Sequence, residues 1–268
     1  MFKLGNRVIY QPNIGTAIAE AKKYGFEVLE IHLSSPQFMP SRYTSKQLIS
    51  LKELAIRQKI TLHTHAPLEQ SMIFTGPEFR QAAKDQLRSM IKFSRALGAR
   101  CLTLHPGKAA VFHTANGKIL NDELYPNFYA GLFEESIKDV ISLAPKDLHI
   151  CVENTDNFIP KYQRILDKYL PTGKIFLTWD IRKNFDYVTN EFVEEKWNFV
   201  RKNREYVKNI HISGLGSGHG SVAGWEHILE RFFKLFDGRN LPMIIEVLPL
   251  RSAVASKKII EKLIKNGF

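Results

Sequence analysis

The stretch "ITLHTHA" (60–66) decides how the chain is read. Thr61, His63 and His65 alternate with Leu62, and a strand puts residues two apart on one face. Two imidazoles on the inward side of a β-rich run predict a strand that carries chemistry at one end. Seven further β-rich runs surround it: "RVIY" (7–10), "VLEIHL" (28–33), "CLTLHPG" (101–107), "HICVENT" (149–155), "IFLTWD" (175–180), "KNIHISG" (208–214) and "MIIEVLP" (243–249).

Helical patterns fill the intervals. One runs from Ile14 to Tyr24 before Gly25, and one starts near Pro77 and stops at Gly98. A stripe of Leu132, Phe133, Ile137, Val140 and Ile141 is closed by Pro145, and another, from Ile228 to Phe236, ends at Gly238. Ser252 is expected to cap a last helix through Lys265. Alternating βα units with strands apolar on both faces predict a parallel sheet, and eight of them predict an α/β fold, a single (β/α)8 TIM barrel domain over residues 1–268. An open doubly wound sheet is the alternative, weakened because no G-x-G-x-x-G follows the first strand.

The length suits one such barrel, and no apolar run approaches a membrane span. The N-terminal "MFKLGNRVIYQPNIG" lacks the apolar core of a signal peptide, so the expected location is the cytoplasm. Cys101 and Cys151 are the two cysteines, too few for a disulfide framework and wrongly spaced for a redox or zinc pair; both read as free core thiols. The net charge of +11 favours anionic partners, phosphorylated substrates or nucleic acid. Its basic residues are spread along helices rather than gathered in a block, as a solvated surface would have them.

Functional side chains of such barrels project from the C-terminal ends of strands. Those ends carry Glu30 and His32, His63 and His65, His105, Glu153, Asp180, His211 and Glu246. Alone, any of these reads as a satisfied core residue or a cap. Together they predict a site, because Glu153, Asp180 and Glu246 would repel one another in a buried mouth unless a cation neutralised them. Mixed imidazole and carboxylate donors suit Mn, Zn, Co or Fe better than Ca.

The series "HAPL", "LGARCLTLHPG", "CVENTD", "LTWD", "NIHISG" and "IIEVLP", in this order, resembles the xylose isomerase-like TIM-barrel superfamily. That group holds sugar and sugar-phosphate isomerases and epimerases, and also the endonuclease IV class of apurinic-site nucleases. The resemblance implies that Glu153, Asp180, His211 and Glu246 are metal ligands. It implies that His65 and His105, with Glu153, hold a second metal in the nuclease branch. The nuclease pattern also wants a third metal, held by a histidine where this chain has Lys183 and by a D-x-H motif where it has Ser217 and His219. One imidazole does not hold a metal, and Leu68 stands where the nucleases prefer an aromatic that stacks on DNA. Gly214 replaces an aspartate frequent among relatives.

The isomerase or epimerase reading is therefore preferred. Such reactions remove a proton next to a carbonyl, a divalent ion stabilises the enediolate, and Glu153 and Glu246, nearly opposite across the mouth, are the expected acid–base pair. Glu30, His32, Lys183, His219 and Arg251 are the expected substrate contacts, Arg251 for a phosphate. The loop "SSPQFMPSRYTS" (34–45) covers either the substrate or the barrel itself. A metal-dependent phosphodiesterase acting on abasic-site DNA, a cyclic-polyol dehydratase and a non-catalytic sugar-binding barrel are the alternatives. Neither the exact sugar nor the oligomeric state is legible in the residues.

Overall fold

The computed structural model describes residues 2–115, 117–155, 158–186, 189–214 and 219–267. Ser217 lies outside them. Ten strands are described: β1 (Lys3–Val8), β2 (Val28–His32), β3 (Thr61–His65), β4 (Cys101–Leu104), β5 (Val111–Thr114), β6 (Gly117–Leu120), β7 (His149–Glu153), β8 (Phe176–Asp180), β9 (Val207–Ile212) and β10 (Pro242–Ile245). Eight of them close into a barrel in the order β1-β10-β9-β8-β7-β4-β3-β2, and every pairing within it is parallel. The expected α/β barrel is the observed one.

Helices α1 (Ile14–Tyr24), α2 (Ser45–Gln58), α3 (Pro77–Leu97), α5 (Pro126–Leu143), α6 (Pro160–Tyr169), α7 (Glu194–Lys202), α8 (Glu226–Leu235) and α9 (Leu250–Lys265) accompany the strands, with a single turn, α4 (Asn121–Leu124), before α5. α1 and α3 end on Gly25 and Gly98 as expected. Thr44 and Gln47 form a capping box at the start of α2, each side chain bonding the other's backbone N–H. Ser252 is not a cap. α9 already begins at Leu250, behind Pro249, because a proline suits the entry to a helix where no N–H is needed.

Two differences from the sequence reading matter. β1 starts at Lys3 rather than residue 7, so Arg7 lies near its C-terminal end instead of its beginning. Gly5 and Asn6 are poor strand formers, but pairing to β10 and β2 on both sides overrides propensity. A Cβ at Gly5 would stand 2.6 Å from Ile244 Cδ1, so this layer of the barrel has room only for glycine. After β4 the chain adds an antiparallel hairpin, β5 with β6.

Leu29 and Ile31, Leu62, Leu102 and Leu104, Ile150 and Val152, and Leu177 and Trp179 are all buried in one apolar cluster. Their partners in the alternation are the polar residues of the interior. Cys101 and Cys151 are free, buried and 3.0 Å apart at sulfur. The 34–45 loop folds down on the barrel: Phe38 is fully buried, the Tyr43 hydroxyl donates to the Gln37 carbonyl at 2.8 Å, and the Tyr43 ring packs on Phe93. Among the described residues no helix is long and apolar enough to cross a membrane.

Candidate metal centre

At the C-terminal mouth of the barrel, a cavity of about 330 Å³ is lined by Arg7, His32, His65, Leu68, His105, Gly107, Lys108, Glu153, Thr155, Asp180, Lys183, His219 and Glu246. This is the size of a small-molecule site. Parallel register explains the convergence: His32 pairs with His65, and Asp180 with His211, so in-register strands deliver these side chains to the same level.

Glu153 is the hub. Its Oε2 lies 3.1 Å from His65 Nε2 and 3.0 Å from His105 Nε2, and its Oε1 lies 3.5 Å from His211 Nδ1. Burial pushes its carboxyl up, but the charges of His105 and His211 and the His105 hydrogen bond outweigh this and hold it well below the usual range. His65 stacks on His32 with ring centroids 4.1 Å apart. Its Nδ1 is 2.7 Å from the Ala66 carbonyl, which only accepts, so the hydrogen sits on Nδ1. Its Nε2 faces the Glu153 carboxylate, which also only accepts; burial lowers the pKa of the ring, but the Glu153 hydrogen bond and the charges of Glu30 and Glu153 outweigh this and raise it.

Glu246, just beyond β10, has Oε1 3.6 Å from His211 Nδ1 and 3.4 Å from Arg7 Nη1, and Oε2 3.6 Å from His219 Nδ1. Burial raises its pKa, but His211 and Arg7 bring it down to about 2. Arg7 Nη1 also donates to His219 Nε2 at 3.1 Å. Asp180 is pushed up to about 7, first by burial and then by the charges of Glu153 and Glu246. Its Oδ1 accepts from the Arg182 N–H at 2.9 Å, and its backbone is held by Asn154, whose Oδ1 accepts from Asp180 N at 2.6 Å.

The donor set fits a divalent ion. His211 Nδ1 is buried without a hydrogen-bond partner, between two carboxylate oxygens. Glu30, His65 and His211 form one group whose donor atoms lie within 4.8 Å of one another, and His65, His105 and Glu153 form a second. Of the four residues expected to share an ion, Glu153, His211 and Glu246 meet at His211 Nδ1. Neither Asp180 nor Glu246 belongs to those groups of three, and Asp180 is tied to Glu153 and Glu246 by charge.

Among the expected substrate contacts, His32, Lys183 and His219 line the mouth. Burial lowers the pKa of His32 to about 2 and also lowers that of His219, so both rings are neutral. Glu30 is fully buried one layer below the mouth, against His211 and Asn209, and Arg251 is exposed on the first turn of α9, outside the lining. His63, one layer deeper than His65, is also buried. Gly214 has a structural reason: a Cβ there would stand 1.9 Å from the Ser221 carbonyl oxygen, so an aspartate does not fit this backbone. Arg7, Lys108 and Asn209 were missed. For Arg7 the signal was parity, hidden by the misplaced start of β1.

The chain belongs to the xylose isomerase-like TIM barrel family, whose model matches residues 18–260. No curated protein matches it in sequence. Among solved structures it is similar to a D-tagatose 3-epimerase-like protein, with 18% identity, TM-score 0.76, and coverage of 98% of this chain and 97% of that one. It is also similar to a 3-keto-D-glucoside 4-epimerase from E. coli, with 12% identity, TM-score 0.71, and 99% and 100% covered. A D-psicose 3-epimerase from Clostridium cellulolyticum H10, solved with D-tagatose, shares 16% identity at TM-score 0.66, with 97% and 99% covered. At these identities the likeness is one of fold.

Proposed function

We propose that this chain is a divalent-metal-dependent sugar or sugar-phosphate isomerase or epimerase, working as one barrel domain over residues 1–268. The observation that carries the reading is the unpartnered His211 Nδ1 between Glu153 Oε1 and Glu246 Oε1. Glu153, Asp180, His211 and Glu246 are the residues that would hold Mn, Zn, Co or Fe. When bound, the ion supplies positive charge that stabilises the oxyanion of an enediolate.

The chain's own groups do the proton work. Glu246 turns Oε1 toward His211 and Arg7, which leaves Oε2, beside His219, as the oxygen that takes or returns a proton. Glu153 turns Oε1 toward His211 and shares Oε2 with His65 and His105, so a proton received there passes into an imidazole-bonded carboxylate. β7 and β10 lie three strands apart in the ring, which sets the two carboxylates on different sides of the mouth. Two-sided proton transfer inverts a centre, and one-sided transfer isomerises. His32, Lys183 and His219 contact substrate oxygens.

The experiment is deuterium exchange. Protein loaded with manganese is incubated in D2O with a panel of ketoses and ketose phosphates, and label next to the carbonyl is read by mass spectrometry. Exchange that disappears in Glu246→Gln and after chelation is expected; no exchange with any member of the panel refutes the reading.

A second reading has one observation in its favour, the His65–His105–Glu153 group, which matches a second metal position of the nuclease branch. It predicts cleavage of abasic-site DNA and binding that falls steeply with salt. Unchanged abasic DNA after incubation with zinc-loaded protein removes it.

A further inference from the structure

Below the mouth lies a buried polar layer that the proton chemistry does not use. Glu30 is fully buried, and its Oε1 and Oε2 are 2.9 and 3.1 Å from His211 Nε2. Asn209 Nδ2 donates to Oε2 at 2.8 Å, and the Thr103 hydroxyl donates to it at 3.3 Å. Thr103 is itself 2.8 Å from Thr178 Oγ1. Each of these side chains is buried, so the layer has one arrangement rather than a solvated ensemble.

We infer that Glu30 is a positioning residue: by accepting the Nε2 hydrogen of His211 it fixes the ring so that Nδ1 is the nitrogen offered to the mouth. The inference rests on the metal-dependent reading above. The Asn209 amide nitrogen is also 3.1 Å from Nε2 but donates to Glu30 Oε2 at 2.8 Å, and both Glu30 oxygens face Nε2 at 2.9 and 3.1 Å; a carboxylate only accepts, so Nε2 carries the hydrogen. The neutral ring then has its lone pair on Nδ1, the atom found buried without a partner between Glu153 and Glu246. Without an acceptor at Nε2, the hydrogen is free to sit on Nδ1, and that form cannot ligate. A partner of this kind on the far nitrogen is worth about 10–100-fold in metal affinity.

The same geometry explains why Glu30 is not offered to a sugar. It lies at the level of His63 in β3, one layer beneath His32 and His65, which line the cavity. It also separates two ways in which Glu30 could act, through its charge or through the position of its acceptor. Glu30→Gln removes the charge and keeps an oxygen for Nε2. Asn209 Oδ1 has no partner, so the Asn209 amide can turn that oxygen toward the new NH2 at the cost of its long 3.4 Å bond to Thr103 Oγ1. Glu30→Asp keeps the charge and draws the acceptor back by one carbon.

The test reads zinc affinity by competition with a chromophoric chelator, and the 15N shifts of the His211 ring in metal-free protein at a pH where the ring is neutral. Sugar turnover is not measured, so failure of the epimerase reading leaves this result standing. Expected is Glu30→Asp binding zinc about 10-fold or more weakly with a mixture of ring tautomers, and Glu30→Gln staying within about threefold of the parent with Nε2 still protonated. The reverse order, with Glu30→Gln the weaker, assigns the effect to charge and overturns the inference. Unchanged affinity and tautomer in both variants overturn it as well.

Discussion

Arg7 Nη1 lies 3.4 Å from Glu246 Oε1, with both side chains almost wholly buried, so the first strand of the barrel supplies the counter-charge for a carboxylate that follows the last. A buried carboxylate that loses its partner costs about 3 kcal/mol or more. Arg7→Met is therefore expected to destabilise the fold by about 3 kcal/mol in urea unfolding, His211 remaining to limit the loss. It also removes one of the three groups, with His211 and His219, that hold Glu246 at about 2, so the acid limb of any activity moves to higher pH. A variant with the parent's stability and pH profile would show that this pair is incidental.

Elemental mass spectrometry on protein purified without chelator counts the ions. One per chain is expected, lost in His211→Ala and in Glu246→Gln and kept in His65→Ala. Two ions, one of them lost with His65 or His105, would instead support the phosphodiesterase reading.

At the opposite end of the barrel, His149 begins β7 and stacks on Phe176 at 4.6 Å. Burial, then the charges of Lys208 and Arg100, lower its pKa from 6.5. The folded state thus binds fewer protons than the unfolded chain just below 6.5, so stability is full above that pH and declines as pH falls through the lowered value. His149→Gln should flatten this decline, seen as a smaller difference between urea midpoints on the two sides of 6.5. An unchanged difference rules His149 out as a source of acid lability.

Phe38 is fully buried under the loop that follows β2. Phe38→Ala is expected to cost about 3–5 kcal/mol through lost burial and a cavity, while leaving KM for the substrate close to the parent's. A large rise in KM without loss of stability would restore the loop as a substrate cover.

Most of the architecture was legible, because strands buried on both faces read as apolar runs and two of the helices between them end on Gly25 and Gly98, although α8 ends at Leu235, short of the expected Gly238. The inward parity of His63, His65, Cys101, Thr103, Cys151 and Glu153 was legible for the same reason: a period of two survives in any strand whose boundaries are right. Arg7 was not, since Gly5 and Asn6 hide a strand held by its two neighbours rather than by propensity. The β5–β6 hairpin was passed over because both its faces are open to solvent and carry no core alternation. Nor does alternation say which inward polar residue reaches the cavity: Glu30 and His32 share a strand and a face, yet only His32 lines it.

The groups around His211 Nδ1 come from β7 and from just after β10, and the ring itself from β9, braced by Glu30 of β2. A growing polypeptide that has emerged only as far as β9 has most of a sheet and no centre. Under the metal-dependent reading, ion uptake would report on ring closure, and a captured ion would add its binding energy where β10 joins β9, next to the seam with β1. Stripping the ion should loosen that seam before any other part of the barrel, so hydrogen exchange in β1 and β10 would quicken first.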